Sequence, residues 1–173
     1  MHWHLSYRTD PLVKPLADRH YNRQNPESPN FVPPAKCLVL RTNPCDAFWV
    51  TLVPYAEYVR HRWAGAWTCT SFRNEGSVLS SLLIEQAVAA SLWKFKKPPE
   101  IGFITFVNAR KIKPTQKPGW CFRKAGWKHV GFTESGLHAL QLLPHEFPEP
   151  DPPINAQFEI FDVISAELRK VAQ

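Results

Sequence analysis

Between Lys94 and Lys128 the chain carries ten Lys or Arg residues against one acid, Glu100, and sets Trp93, Phe95, Trp120 and Trp127 among them. Cationic side chains neutralise phosphates and aromatic rings stack on bases, so this interleaving suits a polyanion, nucleic acid first among them. A solvated basic face, or a patch that serves only a cofactor's phosphates, is the alternative. A second group is His2-x-His4. On a strand these rings share one face, as a metal site would need, and His20 or His61 could complete it. Nothing in the spacing fixes a third ligand, so no metal is expected. The four cysteines, Cys37, Cys45, Cys69 and Cys121, form no CxxC pair. They are expected as reduced, mostly buried thiols. Trp63-Ala64-Gly65-Ala66-Trp67 reads equally as core or as a platform for a base.

The elements that must position these groups fit one domain. A chain of 173 residues, 44% hydrophobic, with seven Trp and eleven Phe, can bury a single core. It holds no run of about 18 apolar residues, which excludes a spanning helix of the usual kind. Met1-His2-Trp3-His4 lacks the regions of a signal peptide, and a cytoplasmic protein with no membrane partner is expected. The net charge of +6 is uneven, since from Pro144 onward six acids face two bases.

Periodicity predicts a strand over 3–8 and a helix over 11–21, with Asp10 as N-cap and Pro11 at the first helical position. A Pro-, Asn- and Ser-rich loop fills 22–34. Strands are predicted over 36–41 and 48–53, joined by the turn 43–46, and over 66–72. Residues 54–62 read ambiguously, as one helical turn at most. The clearest helix runs over 76–95, with Leu79, Leu82, Leu83, Gln86, Ala87 and Ala90 as its apolar face and Pro98-Pro99 as its stop. The apolar run 101–107 predicts a central strand buried on both faces. A short helix stopping at Gly126, then strands over 128–133 and 137–143, follow. Residues 144–153 hold five prolines and read as a spacer, and 154–173 as an amphipathic helix that either packs in cis or forms a homodimer. The fold class is α/β (α+β), with a mixed sheet of about six to seven strands over 1–143 flanked by helices.

Trp120-Cys121-Phe122-Arg123-Lys124-Ala125-Gly126-Trp127 resembles the last helix of the GCN5-related N-acetyltransferase (GNAT) fold, and the element order over 3–143 is similar to the GNAT order. Three short segments also resemble the phage Mom-type DNA adenine-modification proteins, themselves GNAT-like: Arg73-Asn74-x-x-Ser77, the His20-Tyr21 pair within Arg19–Arg23, and Thr105-Phe106-Val107-Asn108. The resemblance implies splayed fourth and fifth strands with the pantetheine of acetyl-CoA or a related acyl-CoA between them. It implies a pyrophosphate on the following helix, where free N–H groups favour an anion. Phe72, Arg73, Asn74, Gly76 and Ser77 would then hold the cofactor: Arg73 pairs with phosphate, Gly76 lets the backbone approach, and Ser77 caps the helix or donates. A capped helix start without ligand is the alternative.

The resemblance also implies His20, Tyr21 and Asn108 as catalytic or acceptor-site residues, and Lys111, Lys113 and Lys117 as phosphate contacts. Acyl transfer needs a deprotonated amine, a polarised thioester carbonyl and a proton for the departing thiolate. Ser71, Glu75 and Cys121 are further candidates near the cleft. GNAT enzymes often carry a tyrosine as acid in the last helix. This chain has Phe122 there, so a water, Tyr21 or Cys121 must substitute. The expected function is a transferase acting on a nucleobase in phage or mobile-element DNA, flipped out of the duplex or modified before pairing. A conventional N-acetyltransferase of a small-molecule or protein amine, and a non-catalytic GNAT-shaped DNA-binding protein, are the alternatives.

Overall fold

The computed structural model describes residues 1–54, 62–112 and 117–156. Lys113, His61 and residues 157–173 of the expected terminal helix lie outside them. One seven-stranded mixed sheet organises the described residues, in the order β1-β2-β3-β4-β5-β7-β6. Its strands are β1 (His4–Ser6), β2 (Lys36–Arg41), β3 (Ala47–Val53), β4 (Trp67–Asn74), β5 (Phe103–Val107), β6 (Lys128–Phe132) and β7 (His138–Leu142). The helices are α1 (Lys14–Asp18), α2 (Ser80–Phe95) and α3 (Trp120–Lys124). All neighbouring strands pair antiparallel except β4 and β5, which run parallel because α2 crosses between them.

Side-chain alternation along β2 and β3 builds two cores. Leu38, Leu40, Ala47 and Trp49 face α2 and join Leu83, Ile84, Ala87, Val88, Phe103, Phe122 and Trp127. Val39, Phe48, Val50 and Leu52 face the other way, onto Val13, Leu16 and Phe31 of α1 and the loop after it. A smaller cluster of Trp63, Ala66, Ile104 and Ala139 continues the second layer, which places Trp63 and Trp67 in core rather than on a base platform.

A hydrogen-bonded chain crosses the first core. Trp49 Nε1 donates to Thr51 Oγ1 at 2.6 Å, the Thr51 and Ser91 hydroxyls meet at 2.8 Å, and Ser91 Oγ donates to the Ala87 carbonyl at 2.7 Å. Ser91 therefore sits within the buried face of α2, and that face is rotated from the expected one. Ile84, Val88 and Leu92 are inside with Leu83, Ala87 and Ala90, whereas Leu79 and Leu82 are 72% and 39% exposed.

Several boundaries differ from expectation, two of them at the helices that frame the site. The first helix begins at Lys14, not Pro11. Asp10 closes a turn instead, accepting from Leu12 N–H at 2.9 Å, while its other oxygen takes the Ser6 hydroxyl and pairs with Arg41. The second helix begins at Ser80, because β4 runs on to Asn74 and Asn74 organises the connection. Asn74 accepts from Gly76 N–H and donates to the Val78 carbonyl and the Ser80 hydroxyl. Ser77 accordingly does not cap the helix. The Pro-rich stretch, expected as a spacer, packs along the fold. Phe147 packs on Phe103, Asp151 N–H reaches the Ala89 carbonyl, and Ile154 N–H reaches the Trp3 carbonyl. Asn155 then brackets the backbone of Leu5 through both of its side-chain polar atoms. Gly126 stands where expected, at φ +87°, letting Trp127 N–H bond back to the Phe122 carbonyl as α3 ends.

Candidate functional site

β4 and β5 pair over only three residues each, Trp67↔Phe103, Thr68↔Ile104 and Cys69↔Thr105, and then part. Beyond this point β4 runs on through Asn74, tied to β3, and β5 through Val107, tied to β7. The gap is occupied by the turn His20-Tyr21-Asn22. Asn22 Nδ2 donates to the Thr70 carbonyl at 3.4 Å, and His20 bonds to the Phe72 backbone, both on β4. Tyr21 reaches across to the Asn108 backbone at the end of β5. On one side of this wedge lies a cavity of about 680 Å³ lined by Thr70, Phe72, Phe106, Ser80, Cys121 and Phe122, with Lys117 and Trp120 at α3. On the other lies a concavity of about 840 Å³ between the same turn and the loop 23–34. Both share His20, Tyr21, Asn22, Thr70 and Ser71.

The wedge is held from behind. His20 and Tyr21 stack with centroids 4.6 Å apart at 23°, and the His20 ring meets Phe48 edge-on. Burial, together with the positive charge of Arg73, pushes the His20 imidazole down to about 4. It is neutral at neutral pH, accepting from Asn22 N–H at Nδ1. With its other ring nitrogen turned to the Phe72 backbone, it has no free lone pair for base catalysis; its work is to hold Tyr21. Burial raises the Tyr21 phenol and a hydrogen bond from the Asn108 backbone offsets part of that, so the group keeps its proton at neutral pH. Burial likewise raises the Cys69 and Cys121 thiols, which excludes a resting thiolate at either.

The lowered His20 value fixes a pH dependence. The unfolded imidazole takes a proton near 6.5 and the folded one only near 4, so stability is full above 6.5 and falls as pH drops through that window. About 2 kcal/mol should be lost between pH 7.5 and pH 5 from this group. Urea midpoints at the two pH values measure it, and His20→Asn should flatten the difference.

The other expected site residues divide. Phe72 lines the cavity and packs on Trp49 and Phe122 at 5.7 and 6.0 Å, an apolar wall rather than a phosphate contact. Arg73 donates to Glu75 at 2.6 Å and to the Arg19 carbonyl at 2.8 Å. Arg19 grips the same carboxylate through two nitrogens, and the pair of guanidinium groups holds Glu75 down to about 2. Gly76 faces Asp46, whose carboxylate oxygen would lie 2.2 Å from an added Cβ, so its missing side chain serves a close approach within the fold. Ser77 is exposed. The free N–H groups of α2 thus stand four residues later than expected, and Ser80 brings them to the cavity. Asn108 caps its own turn, accepting from Arg110 N–H at 3.0 Å, and meets Tyr21 through its main chain only.

Lys111 and Lys117 are exposed beside the cavity mouth. Lys94, Lys96 and Lys97 lie at the other end of the 16-residue α2, about 20 Å along its axis from Ser80, so the basic block is two patches in space. His2 binds Gln86 through its backbone N–H and its ring, at 2.8 and 3.0 Å. Among the described residues no group of three or more His, Cys, Asp or Glu converges as metal ligands would. Nor, among them, is any helix long and apolar enough to cross a membrane.

Sequence reading missed Asn22, Thr70, Ser80 and the exposure of Trp120. Thr70 Oγ1 is buried in the parting of the strands with no hydrogen-bond partner among the described residues, a placement visible only once β4 and β5 are known to separate. No protein-family model matches the chain, and no curated protein or solved structure matches it significantly.

Proposed function

We propose that this chain is a group transferase of the GNAT type, carrying an acyl or related group from a CoA thioester to an amine on a DNA base. The observation that carries the reading is the parting of β4 and β5 after three paired residues, with a protonated Tyr21 at the rim of the gap. A slender arm such as pantetheine would lie in the 680 Å³ cavity against Phe72, Phe106 and Phe122. The start of α2 at Ser80 supplies free N–H groups for its diphosphate.

In the reaction the acceptor amine adds to the thioester carbonyl. A C–N bond forms and the C–S bond breaks. The thiolate leaves with the Tyr21 proton, the amine gives its own proton to solvent, and solvent restores the phenol. His20 and Asn22 keep Tyr21 facing the reacting atoms.

Arg73 favours a second reading, since its guanidinium is already taken by Glu75 and the Arg19 carbonyl. A GNAT-shaped protein that binds DNA without catalysis would tolerate this. Mass spectrometry of nucleosides from cells expressing the chain separates the two. The transferase reading expects a new modified nucleoside; an unchanged profile, with DNA binding intact and no calorimetric heat from CoA, would select the second.

A further inference from the structure

Of the four aromatics set among the basic residues, three are committed to the fold. Trp127 is 2% exposed, Phe95 packs edge-on against Trp67 at 5.2 Å with Lys36 over its ring, and Trp93 is half-buried at the far end of α2. Trp120 is different. It opens α3, is 51% exposed, and its side chain lines the mouth of the cavity between β4 and β5. Lys124 and Lys117 hold their ammonium groups 4.8 and 5.9 Å from its ring centroid. Lys124 is one turn further along the helix and Lys117 just ahead of it, so two cations share one exposed ring.

We propose that Trp120, Lys117 and Lys124 form a nucleotide-stacking platform that holds a single DNA strand at the entrance of the cleft. The indole is exposed, and the two ammonium groups over it sit on flexible side chains that can swing from the ring to the phosphates of a nucleotide as its base takes their place. The ligand is a strand and not one nucleotide because the cations continue. Arg123 is exposed on α3 itself and Arg110 and Lys111 on the turn before Ile112, which lines the same cavity, and residues 101–133 contain no acid at all. One diphosphate needs two or three cations; five exposed ones form a track. The proposal rests on the reading of DNA as the acceptor, and assigns the residues that would keep the strand beside the transfer centre.

The test is fluorescence anisotropy with a labelled 12-nucleotide single strand, using the full chain. Trp120→Ala should weaken binding about tenfold with the salt dependence unchanged, because stacking is lost and no cation is. Trp120→Phe should keep most of the affinity. Lys117→Gln with Lys124→Gln should lower the salt slope by about 1.4, as two phosphate contacts on a single strand would. Circular dichroism melts confirm that the variants fold, which the exposure of all three positions favours. Wild-type affinity in both Trp120 variants would overturn the proposal. So would weakened binding of CoA with oligonucleotide binding unchanged, which would give the platform to a nucleotidic donor, or equal competition by polyglutamate of the same charge. Loss of oligonucleotide binding in Trp120→Ala, with no modified nucleoside from the wild type, would leave the platform standing and remove the transferase.

Discussion

Tyr21→Phe should lower the proposed transfer by about 10²–10⁴-fold in kcat while leaving affinity for the proposed donor within about twofold, the range for loss of a positioned acid. Phe122 occupies the place in α3 where a donor would otherwise be sought, and it is 6% exposed in the core. The two thiols that border the gap are held protonated by burial, and a buried thiol is a poor source for rapid exchange with solvent. Among the described residues, Tyr21 alone combines a proton at neutral pH, a place shared by both concavities and an orienting stack on His20. Rapid-quench measurement of one turnover reads the effect on chemistry directly. A variant that turns over at the wild-type rate would transfer the acid role to water. His20→Asn should lower kcat less than Tyr21→Phe and should not change the form of the pH–rate profile, since His20 positions and does not titrate near neutrality.

Trp49→Ala should cost about 3–5 kcal/mol of folding stability, the usual range for deleting a large buried aromatic. Trp49 is 0% exposed, meets Phe72 at 5.7 Å and Phe122 at 6.2 Å, and starts the hydrogen-bonded chain through Thr51 and Ser91. Domains of this size are stable by only about 5–15 kcal/mol, so this variant would stand near the edge of unfolding. Equilibrium urea denaturation measures the loss. Because Phe72 and Phe122 are also walls of the cavity, the variant should bind CoA more weakly even at temperatures where it remains folded. A stable variant with intact CoA affinity would show that the two walls are braced from elsewhere.

Much of the scaffold was legible where local pattern decides. The strand over Lys36–Arg41 has the bounds expected from its alternation, and the hairpin after it follows from its turn residues. Gly126 ends its helix because only a residue tolerant of positive φ fits there. The failures lie where a distant residue decides. Gly76 reads as an opening for phosphate, yet Asp46, thirty positions earlier, fills the space beside it. Gly76–Leu79 adjoin the helical pattern that follows and were read with it, but Asn74 uses its side chain to hold them in a turn.

The site shows the same division. The His20-Tyr21 pair was visible as two adjacent groups able to move protons. That His20 has both nitrogens occupied depends on Phe72 and Asn22, and Asn22 was read only as the start of a loop. Arg73 was visible as a cation, while its capture by Glu75 needed the two to be seen at 2.6 Å. Trp120 and Trp127 carry the same side chain seven residues apart. A helix stop at Gly126 turns one outward and one into the core, a difference composition does not contain.

The docking of residues 154–155 on β1 has a consequence for colloidal behaviour. β1 is only three residues long and forms a border of the sheet, with β2 on one side alone. Border strands recruit strands from other molecules through their bare amides and carbonyls. Here Asn155 takes both the N–H and the carbonyl of Leu5, at 2.6 and 3.4 Å, and Ile154 takes the carbonyl of Trp3. One asparagine therefore does for this border what an eighth strand would do, without offering a new border of its own. A chain shortened before Ile154 would keep its sheet but present an adhesive rim, and would be lost to precipitation before it was lost to unfolding.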